Sequence, residues 1–255
     1  MTIIQSIMLG IVEGLTEFLP VSSTGHLILA SQILGIAKEN FTKSFEISIQ
    51  FGAILAVVVL YREKFISDKQ LWKKIATAFL PTAVVGFLFY QILKNYLLSN
   101  DVIVVWALAL GGIFLIIFEL WHQKKSAIGM DQINYKQSFF TGLAQSVSII
   151  PGVSRSAATI IGGIIQGVDR KTIIEFSFLL AVPTIAVASL YDLYKNASQF
   201  SFNEFYILII GFIVSFITAA LSIKWFLNYI KNHSFISFGV YRIVVALLFW
   251  LFILR

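Results

Sequence analysis

The chain of 255 residues is 58% hydrophobic and 13% charged, with a mean hydropathy of +0.87 and a net charge of +6. Because a soluble domain carries roughly 25% charged residues, this composition excludes an ordinary soluble protein. It predicts an all-α, polytopic membrane protein that forms one integral membrane domain over residues 1–255. The absence of cysteine excludes disulfides, thiolate metal sites and a cysteine nucleophile, and no basic stripe suggests a nucleic-acid partner.

The first predicted element, residues 1–40, is an apolar segment interrupted between Leu19 and His26 by Pro20 and three consecutive hydroxyl residues. This pattern predicts a helix, a break and a second helix, which we interpret as a re-entrant hairpin. The first basic residue is Lys38, so we expect no cleaved signal peptide. Broken backbone at membrane depth must face protein or water, which predicts a polar cavity at the break.

Six segments are long enough as helices to cross a hydrocarbon core of about 30 Å. Three of them carry no charge: residues 75–93, 102–118 and 205–223. Three carry isolated charges: residues 45–61 with Glu46, residues 172–194 with Glu175 and Asp192, and residues 235–254 with Arg242. We therefore predict six transmembrane helices.

A second apolar segment, residues 137–167, is broken at Pro151 and Gly152 and predicts another re-entrant hairpin. Cytoplasmic loops are rich in lysine and arginine, and this rule makes the two hairpins enter from opposite faces, the first from outside. The predicted cytoplasmic face carries Arg62, Lys64, Lys69, Lys73, Lys74, Lys124, Lys125, Lys136, Arg170, Lys171, Lys224 and Lys231. The other face carries Lys38, Lys43, Lys94, Lys195 and Arg255.

The two hairpins are related by a constant offset of 132 residues. The offset places Gly10 on Gly142, Val21 on Val153 and Ser22 on Ser154. The spans that follow also resemble each other, at residues 45–48 and 174–177. Together with opposite insertion, this predicts an inverted-topology repeat with halves at about residues 1–121 and 137–255, and a site near the membrane midplane.

Glu13 and Glu17 are four residues apart, so a helix projects both carboxylates from one face. Two like charges on an apolar helix need a cation, a shared proton or an arginine. A divalent cation, Mg²⁺ or Ca²⁺, would satisfy both carboxylates and would also bind phosphate oxygens. The alternative is a wet helix end with two solvated glutamates.

Ser22, Ser23 and Thr24 precede the second half of the first hairpin, where free amides and the helix dipole favour an anion such as phosphate. Simple N-capping is the alternative. His26 lies in the first turn of the same helix and could act as a nucleophile toward phosphorus, a general acid or base, or a ligand. A structural role for this histidine also stays open.

Arg155 lies in the second hairpin, where a guanidinium is costly and its planar fork matches phosphate oxygens. Ser154, Ser156 and Thr159 surround it in sequence. An ion pair of Arg155 with Glu13 or Glu17 is the alternative. Arg242 is a weaker candidate, because a long side chain can snorkel or pair with a carboxylate.

These residue types together indicate phosphoryl chemistry, because the carboxylates favour a metal while the arginine and hydroxyls favour phosphate. Because the site lies among membrane spans, we expect the other end of the substrate to be a lipid. Residues 13–26, Glu-Gly-Leu-Thr-Glu-Phe-Leu-Pro-Val-Ser-Ser-Thr-Gly-His, resemble the glutamate-rich motif of the undecaprenyl pyrophosphate phosphatase family, also called the bacitracin-resistance protein family. Its second motif, Pro-Gly-x-Ser-Arg-Ser-x-x-Thr, is intact at residues 151–159.

The resemblance covers essentially the whole chain. It implies metal-dependent hydrolysis of undecaprenyl pyrophosphate to undecaprenyl phosphate and inorganic phosphate, recycling of the cell-envelope carrier lipid, and bacitracin resistance. The resemblance implies metal and acid–base chemistry for Glu13 and Glu17, and pyrophosphate binding by Ser154, Arg155, Ser156 and Thr159. It implies phosphoryl transfer by His26, Ser22 or Ser23, and Gln145 resembles the family's glutamine before the second motif. Gln50 lies in a similar polar position of the first full span, and both glutamines are lesser candidates. The nucleophile stays open among the histidine and the two serines.

We expect a location in the bacterial inner (plasma) membrane with the site open to the external, periplasmic side, and a homodimer is compatible with the sequence. Two rival functions remain. An acid-phosphatase-like lipid phosphatase would need a second histidine, but His122 and His233 lie in predicted cytoplasmic loops. A flippase for polyprenyl phosphate would use the same inverted, broken-helix architecture.

Overall fold

The computed structural model describes residues 1–37, 39–92, 101–122, 127–196 and 201–254, which are mostly helical. The α-helices are α1 (Ile3–Thr16), α2 (Ser23–Ile33), α3 (Asn40–Leu60), α4 (Arg62–Ser67), α5 (Lys69–Ile92), α6 (Asp101–Trp121), α7 (Tyr135–Gln145), α8 (Arg155–Ile165), α9 (Arg170–Asn196), α10 (Phe202–Tyr229) and α11 (Ile236–Phe249). Extended pairing in the described ranges is limited to an isolated bridge between Ile128 and Val168. The prediction of an all-helical protein is confirmed.

Five of these helices, α3, α5, α6, α9 and α10, are long and apolar enough to cross a membrane. They coincide with five of the six predicted spans, as expected for a multi-pass integral membrane protein. The sixth, predicted at residues 235–254, is the shorter apolar helix α11, which continues as a π-helix over Trp250–Leu254. The predicted loop residues Lys38, Lys94, Lys124 and Lys125, the predicted span end Leu93, and Arg255 lie outside the described residues.

Each predicted hairpin has the expected helix, break and second helix. Between α1 and α2 lies the first break, residues 17–22. Between α7 and α8 lies the second break, residues 146–154, which opens with a 3₁₀ turn over Ser146–Ile149. The irregular backbone of the two breaks leaves polar groups that need protein or water partners.

Each hairpin packs its first helix on a long helix that lies distant in sequence: α1 on α10, and α7 on α5. Glycines allow the backbones to touch in both cases. A Cβ at Gly10 would lie 2.7 Å from the carbonyl oxygen of Gly211, and a Cβ at Gly142 would lie 1.8 Å from that of Ala78. Hydroxyls add interhelical bonds, since Ser222 of α10 donates to the Leu15 carbonyl at 3.0 Å. Small residues and hydroxyls of this kind hold helices together in lipid.

Replacing Gly142 by alanine should lower the thermal stability of the protein, because the added methyl would overlap the backbone of α5. We expect a cost of about 1–3 kcal/mol, the usual range for overpacking, measured as a lower unfolding temperature in detergent. Gly86→Ala is the matched control on α5, since a Cβ there would meet only the end of Ile149 at 4.0 Å. Equal unfolding temperatures for the two variants would contradict the close packing of α7 on α5.

Aromatic packing fixes the first break against the long helices. The Phe18 ring is fully buried and meets Phe178 of α9 edge-on, with centroids 5.2 Å apart. Phe178 in turn packs on Phe226 of α10, and Phe226 on Phe238 of α11. This row of rings holds the residue beside Glu17 in a rigid apolar setting, so the orientation of Glu17 is constrained by the core.

Candidate active site

Both breaks end in a serine with unusual backbone geometry. Ser22 has φ 72° and Ser154 has φ 76°, and they are the only non-glycine residues with positive φ in the described part of the chain. Each caps the helix that follows, because the Ser22 hydroxyl accepts from the Gly25 amide at 3.4 Å and the Ser154 hydroxyl from the Ala157 amide at 3.2 Å. Such backbone is costly and persists where surrounding structure enforces it, often at functional sites.

An ion pair joins the first break to the start of α8. Arg155 Nη2 lies 2.9 Å from Glu17 Oε1, and both side chains are largely buried. The other oxygen, Oε2, accepts a hydrogen bond from the Ser23 hydroxyl. Arg155 therefore contacts Glu17, one of the two carboxylates named for such a pair, and Ser23 joins the same cluster.

Arg155 keeps hydrogen-bonding capacity after this pairing. Its Nη1 donates to the Ser177 carbonyl on α9 at 2.9 Å, and its Nη2 also approaches the Glu17 carbonyl at 3.4 Å. Its Nε is buried without a partner among the described residues. A guanidinium with a free, buried N–H beside a cavity is suited to hold an anion.

A polar cavity of about 230 Å³ opens at this cluster. Both breaks and three long helices line it, through Glu17, Ser22, Ser23, Thr24, Ser148, Pro151, Gly152, Ser154, Arg155, Gln50, Thr82 and Thr184, among others. Its polar side chains are several hydroxyls, the Gln50 amide, the Glu17 carboxylate and the Arg155 guanidinium. The cavity can therefore take a small anionic group such as phosphate.

Several predicted site residues lie behind this cavity rather than in it. Thr159 donates to Gln145 Oε1 at 3.1 Å, and the Gln145 amide donates to Thr82 at 3.0 Å and to Thr184 at 3.3 Å. Ser156 is also buried and donates to the Phe18 carbonyl at 2.9 Å. These side chains hold the wall of the cavity in place and do not line its interior.

His26 is separated from the cavity and both of its ring nitrogens are occupied. Nδ1 lies 2.7 Å from the Ser22 carbonyl, which makes it the donor, and Nε2 lies 2.8 Å from the Tyr241 hydroxyl, which then donates to it. The side chain is 7% exposed and is absent from the cavity lining. This geometry favours the structural alternative for His26.

Glu13 lies one turn before Glu17 and is completely buried. Neither carboxylate oxygen has a hydrogen-bond partner among the described residues, and Glu17 and Glu46 are the acidic side chains that interact with it electrostatically. A buried carboxylate without a donor fits a cation ligand. No group of three or more histidine, cysteine, aspartate or glutamate side chains is arranged for a metal in the ranges that the structure covers, so further ligands would have to be other oxygen atoms.

The cavity also includes three residues that were not predicted for it, Thr82, Thr184 and Ser148. A signal was present for the two threonines, because each follows a proline inside a predicted span, at Pro81 and Pro183. A proline removes a backbone hydrogen bond from a helix, which is tolerated where neighbouring polar groups compensate. Ser148 carried no signal beyond its place in the second break.

Among the described residues, Arg242 neither snorkels nor pairs with a carboxylate. Its side chain is completely buried and its hydrogen bonds go to backbone carbonyls. The reason is that broken helices leave carbonyl oxygens without partners, and a buried guanidinium satisfies several of them at once.

A second cavity, of about 630 Å³, lies between α1, α10 and α11 and is mainly apolar. Leu15, Leu19, Trp225, Phe238 and Tyr241 are among its lining residues. It contains no charged side chain, so it lacks the chemistry of the polar cavity.

Comparisons with known proteins agree with these observations. Residues 6–248 match the family described as Bacitracin resistance protein BacA. The undecaprenyl-diphosphatase of Aquifex aeolicus is 52% identical over 255 residues, the full length of both chains. That of Sulfurihydrogenibium sp. is 52% identical over 98% of this chain and 99% of its own length, and that of Methanococcus aeolicus is 45% identical over the whole of both chains.

Proposed function

The chain belongs to the bacitracin resistance protein BacA family, and from this membership and the site geometry we propose that it is an undecaprenyl-diphosphatase. It hydrolyses the lipid pyrophosphate to undecaprenyl phosphate and inorganic phosphate, which returns the carrier lipid to cell-envelope synthesis and accounts for bacitracin resistance. The observation that carries the proposal is the cluster of Ser23, Glu17 and Arg155 at one polar cavity. It unites a hydroxyl nucleophile, a base and an anion-binding cation.

We propose Ser23 as the nucleophile. The Ser23 oxygen attacks the terminal phosphorus, the proton of its hydroxyl passes to the Glu17 carboxylate, and the bond from phosphorus to the bridging oxygen breaks to release undecaprenyl phosphate. Water then attacks the phosphoserine, releases inorganic phosphate and restores the hydroxyl. The support is the direct hydrogen bond from Ser23 to Glu17, which is the arrangement of an activated nucleophile. His26 lacks such an arrangement.

Arg155 would bind the terminal phosphate through its free Nε and through the Nη groups that now contact Glu17 and Ser177. Ser154 and Thr24 line the same cavity and would donate to the phosphate oxygens. Gln145 and Thr159 would act indirectly, by holding Thr82 and Thr184 in the wall. Such preorganised donors stabilise charge in the transition state.

Glu13 and Glu17 would hold a divalent cation, Mg²⁺ or Ca²⁺. When bound, the cation would offset the negative charge of the pyrophosphate oxygens. The support is the Glu13 carboxylate, which is buried beside Glu17 without a donor.

We propose the inverted-topology repeat as the origin of this site. Three observations support it. Ser22 and Ser154 both have positive φ, and Gly10 and Gly142 make equivalent close contacts. The first helix of each hairpin also packs on a long helix of the other half of the chain, α1 on α10 and α7 on α5. In this interpretation α1 with α2 and α7 with α8 are re-entrant hairpins, and α11 is the sixth span. Each hairpin brings its break to the midplane.

The cavity is proposed to open to the periplasmic side of the inner membrane. Basic residues at the start of α5 and α9 favour the cytoplasm for those ends, and Thr82 and Thr184 lie in the distal halves of these helices. The head group of a lipid pyrophosphate would therefore enter the cavity from outside.

The test is a direct assay of purified protein in detergent. We expect inorganic phosphate to be released from undecaprenyl pyrophosphate with added Mg²⁺ or Ca²⁺, and we expect a chelator to remove this release because Glu13 and Glu17 lose their shared cation. Restoring the cation should restore activity. Release that persists unchanged in chelator would contradict the metal proposal alone.

The same assay separates the phosphatase from a flippase. Protein that binds the lipid but releases no phosphate under any of these conditions would contradict the phosphatase proposal. Transport of a labelled polyprenyl phosphate across vesicles of the same protein would then favour the carrier.

A further inference from the structure

Arg242 is the largest fully buried side chain of the described residues, and the proposed reaction does not use it. Its guanidinium has five N–H groups, and each is within 3.3 Å of a backbone carbonyl oxygen. These oxygens belong to Ala107, Leu108, Pro20, Gly152 and Val153. No ion pair to Arg242 occurs within the described ranges, so carbonyl dipoles alone compensate its charge. A buried cation without a carboxylate is costly, which suggests a specific role.

Three of the five carbonyls belong to the breaks. Pro20 lies in the first break, and its oxygen accepts from Nη1 at 3.3 Å. Gly152 and Val153 lie in the second, and their oxygens accept at 2.8 Å and 3.0 Å. With the offset of 132 residues, Pro20 and Gly152 are equivalent positions. One guanidinium therefore bonds equivalent points of both breaks, two residues before Ser22 and Ser154.

The fold leaves a specific space for this guanidinium. A Cβ at Gly111 on α6 would lie 2.1 Å from Arg242 Nη2 and 2.8 Å from its Cζ. The remaining two carbonyls, from Ala107 and Leu108, belong to the same helix. The glycine on α6 thus allows α11 to deliver its arginine to the breaks, and any larger side chain at Gly111 would displace it.

We propose that Arg242 is a positioning residue that sets the spacing of the two breaks, so that Ser23, directly after the first break, and Arg155, directly after the second, face the same phosphate. This inference rests on the proposed phosphatase function. Arg242 touches neither the cavity nor Glu17, so it acts through backbone and not on the substrate. Loss of its bonds therefore changes the alignment of reacting groups more than the affinity for the lipid.

Two variants test the proposal from opposite sides. Arg242→Lys keeps the charge but has three donors on one nitrogen, so it cannot keep all five carbonyl bonds. Gly111→Ala keeps the arginine but fills its space. For each folded variant we expect kcat for phosphate release to fall at least about tenfold and KM to change less than about threefold, because small misalignments act on the chemical step. Gly86→Ala is the control, and its kinetics should equal those of the wild type.

A purely structural role would lower the amount of folded protein without changing its kcat. Kinetic constants are therefore normalised to the monodisperse fraction, and Arg242→Ala is assayed with millimolar guanidinium or urea. We expect guanidinium to recover part of the lost kcat, because it can occupy the empty space and donate to the same carbonyls, and we expect urea not to.

Wild-type kcat in Arg242→Lys, or a loss that follows the folded fraction and does not respond to guanidinium, would overturn the proposal. In both cases wild type and Gly86→Ala would still release phosphate, so the phosphatase function would stand. Absence of release from the wild type itself would overturn that function, and this inference with it.

Discussion

Replacing Glu17 by glutamine is expected to reduce phosphate release by about 10³-fold or more while the lipid still binds. The substitution keeps the shape of the side chain but removes the proton acceptor of the Ser23 hydroxyl and the charge that pairs with Arg155. Glu17 is also one of the two proposed cation ligands, so three features of the reaction fail together. The measurement is inorganic phosphate from undecaprenyl pyrophosphate, with lipid binding measured separately on the same preparation.

Glu63→Gln is the matched control for Glu17→Gln. Glu63 lies exposed on the short helix α4, far from the breaks in sequence, and its replacement changes the net charge by the same amount. We expect it to leave turnover unchanged. Hydrolysis at the wild-type rate in Glu17→Gln would remove the base from the proposed mechanism and would contradict the assignment of the site.

The helices were accessible from the sequence because hydrophobic length alone predicts them. Each of α3, α5, α6, α9 and α10 contains a long apolar run. In lipid such a run forms a helix, because a helix satisfies its own backbone hydrogen bonds. The sixth predicted span corresponds to a helix of a different kind, because α11 is short, carries a buried arginine and continues as a π-helix.

The meeting of Glu17 with Arg155 was also predictable in outline, because two unpaired charges of opposite sign at membrane depth attract strongly. The position of His26 was not. Ring nitrogens of a histidine take whatever partners the fold supplies, and here these are the Ser22 carbonyl and Tyr241, which is 215 residues away in the chain. The five carbonyl partners of Arg242 could not be predicted either, because backbone oxygens of a break or of a neighbouring helix leave no mark in the sequence.

Replacing Ser23 by alanine should abolish turnover, with a loss of about 10³-fold or more, because the proposed nucleophile is removed. The hydroxyl of Ser23 lies in the cavity and donates to Glu17, whereas the ring of His26 lies outside it and is bonded to Tyr241. His26→Gln should therefore retain activity within about tenfold of the wild type, since a glutamine amide can keep one of the two bonds.

A trapping experiment distinguishes the two residues directly. Wild-type protein mixed with undecaprenyl pyrophosphate and quenched in acid should carry one added phosphate on the peptide that contains Ser23, and Ser23→Ala should carry none. The acid quench suits a phosphoserine, whereas a phosphohistidine is preserved by alkaline quench, so both conditions are needed. Phosphate found on His26, or full turnover by Ser23→Ala together with an inactive His26→Gln, would show that the histidine leaves Tyr241 during the reaction and attacks the phosphorus itself.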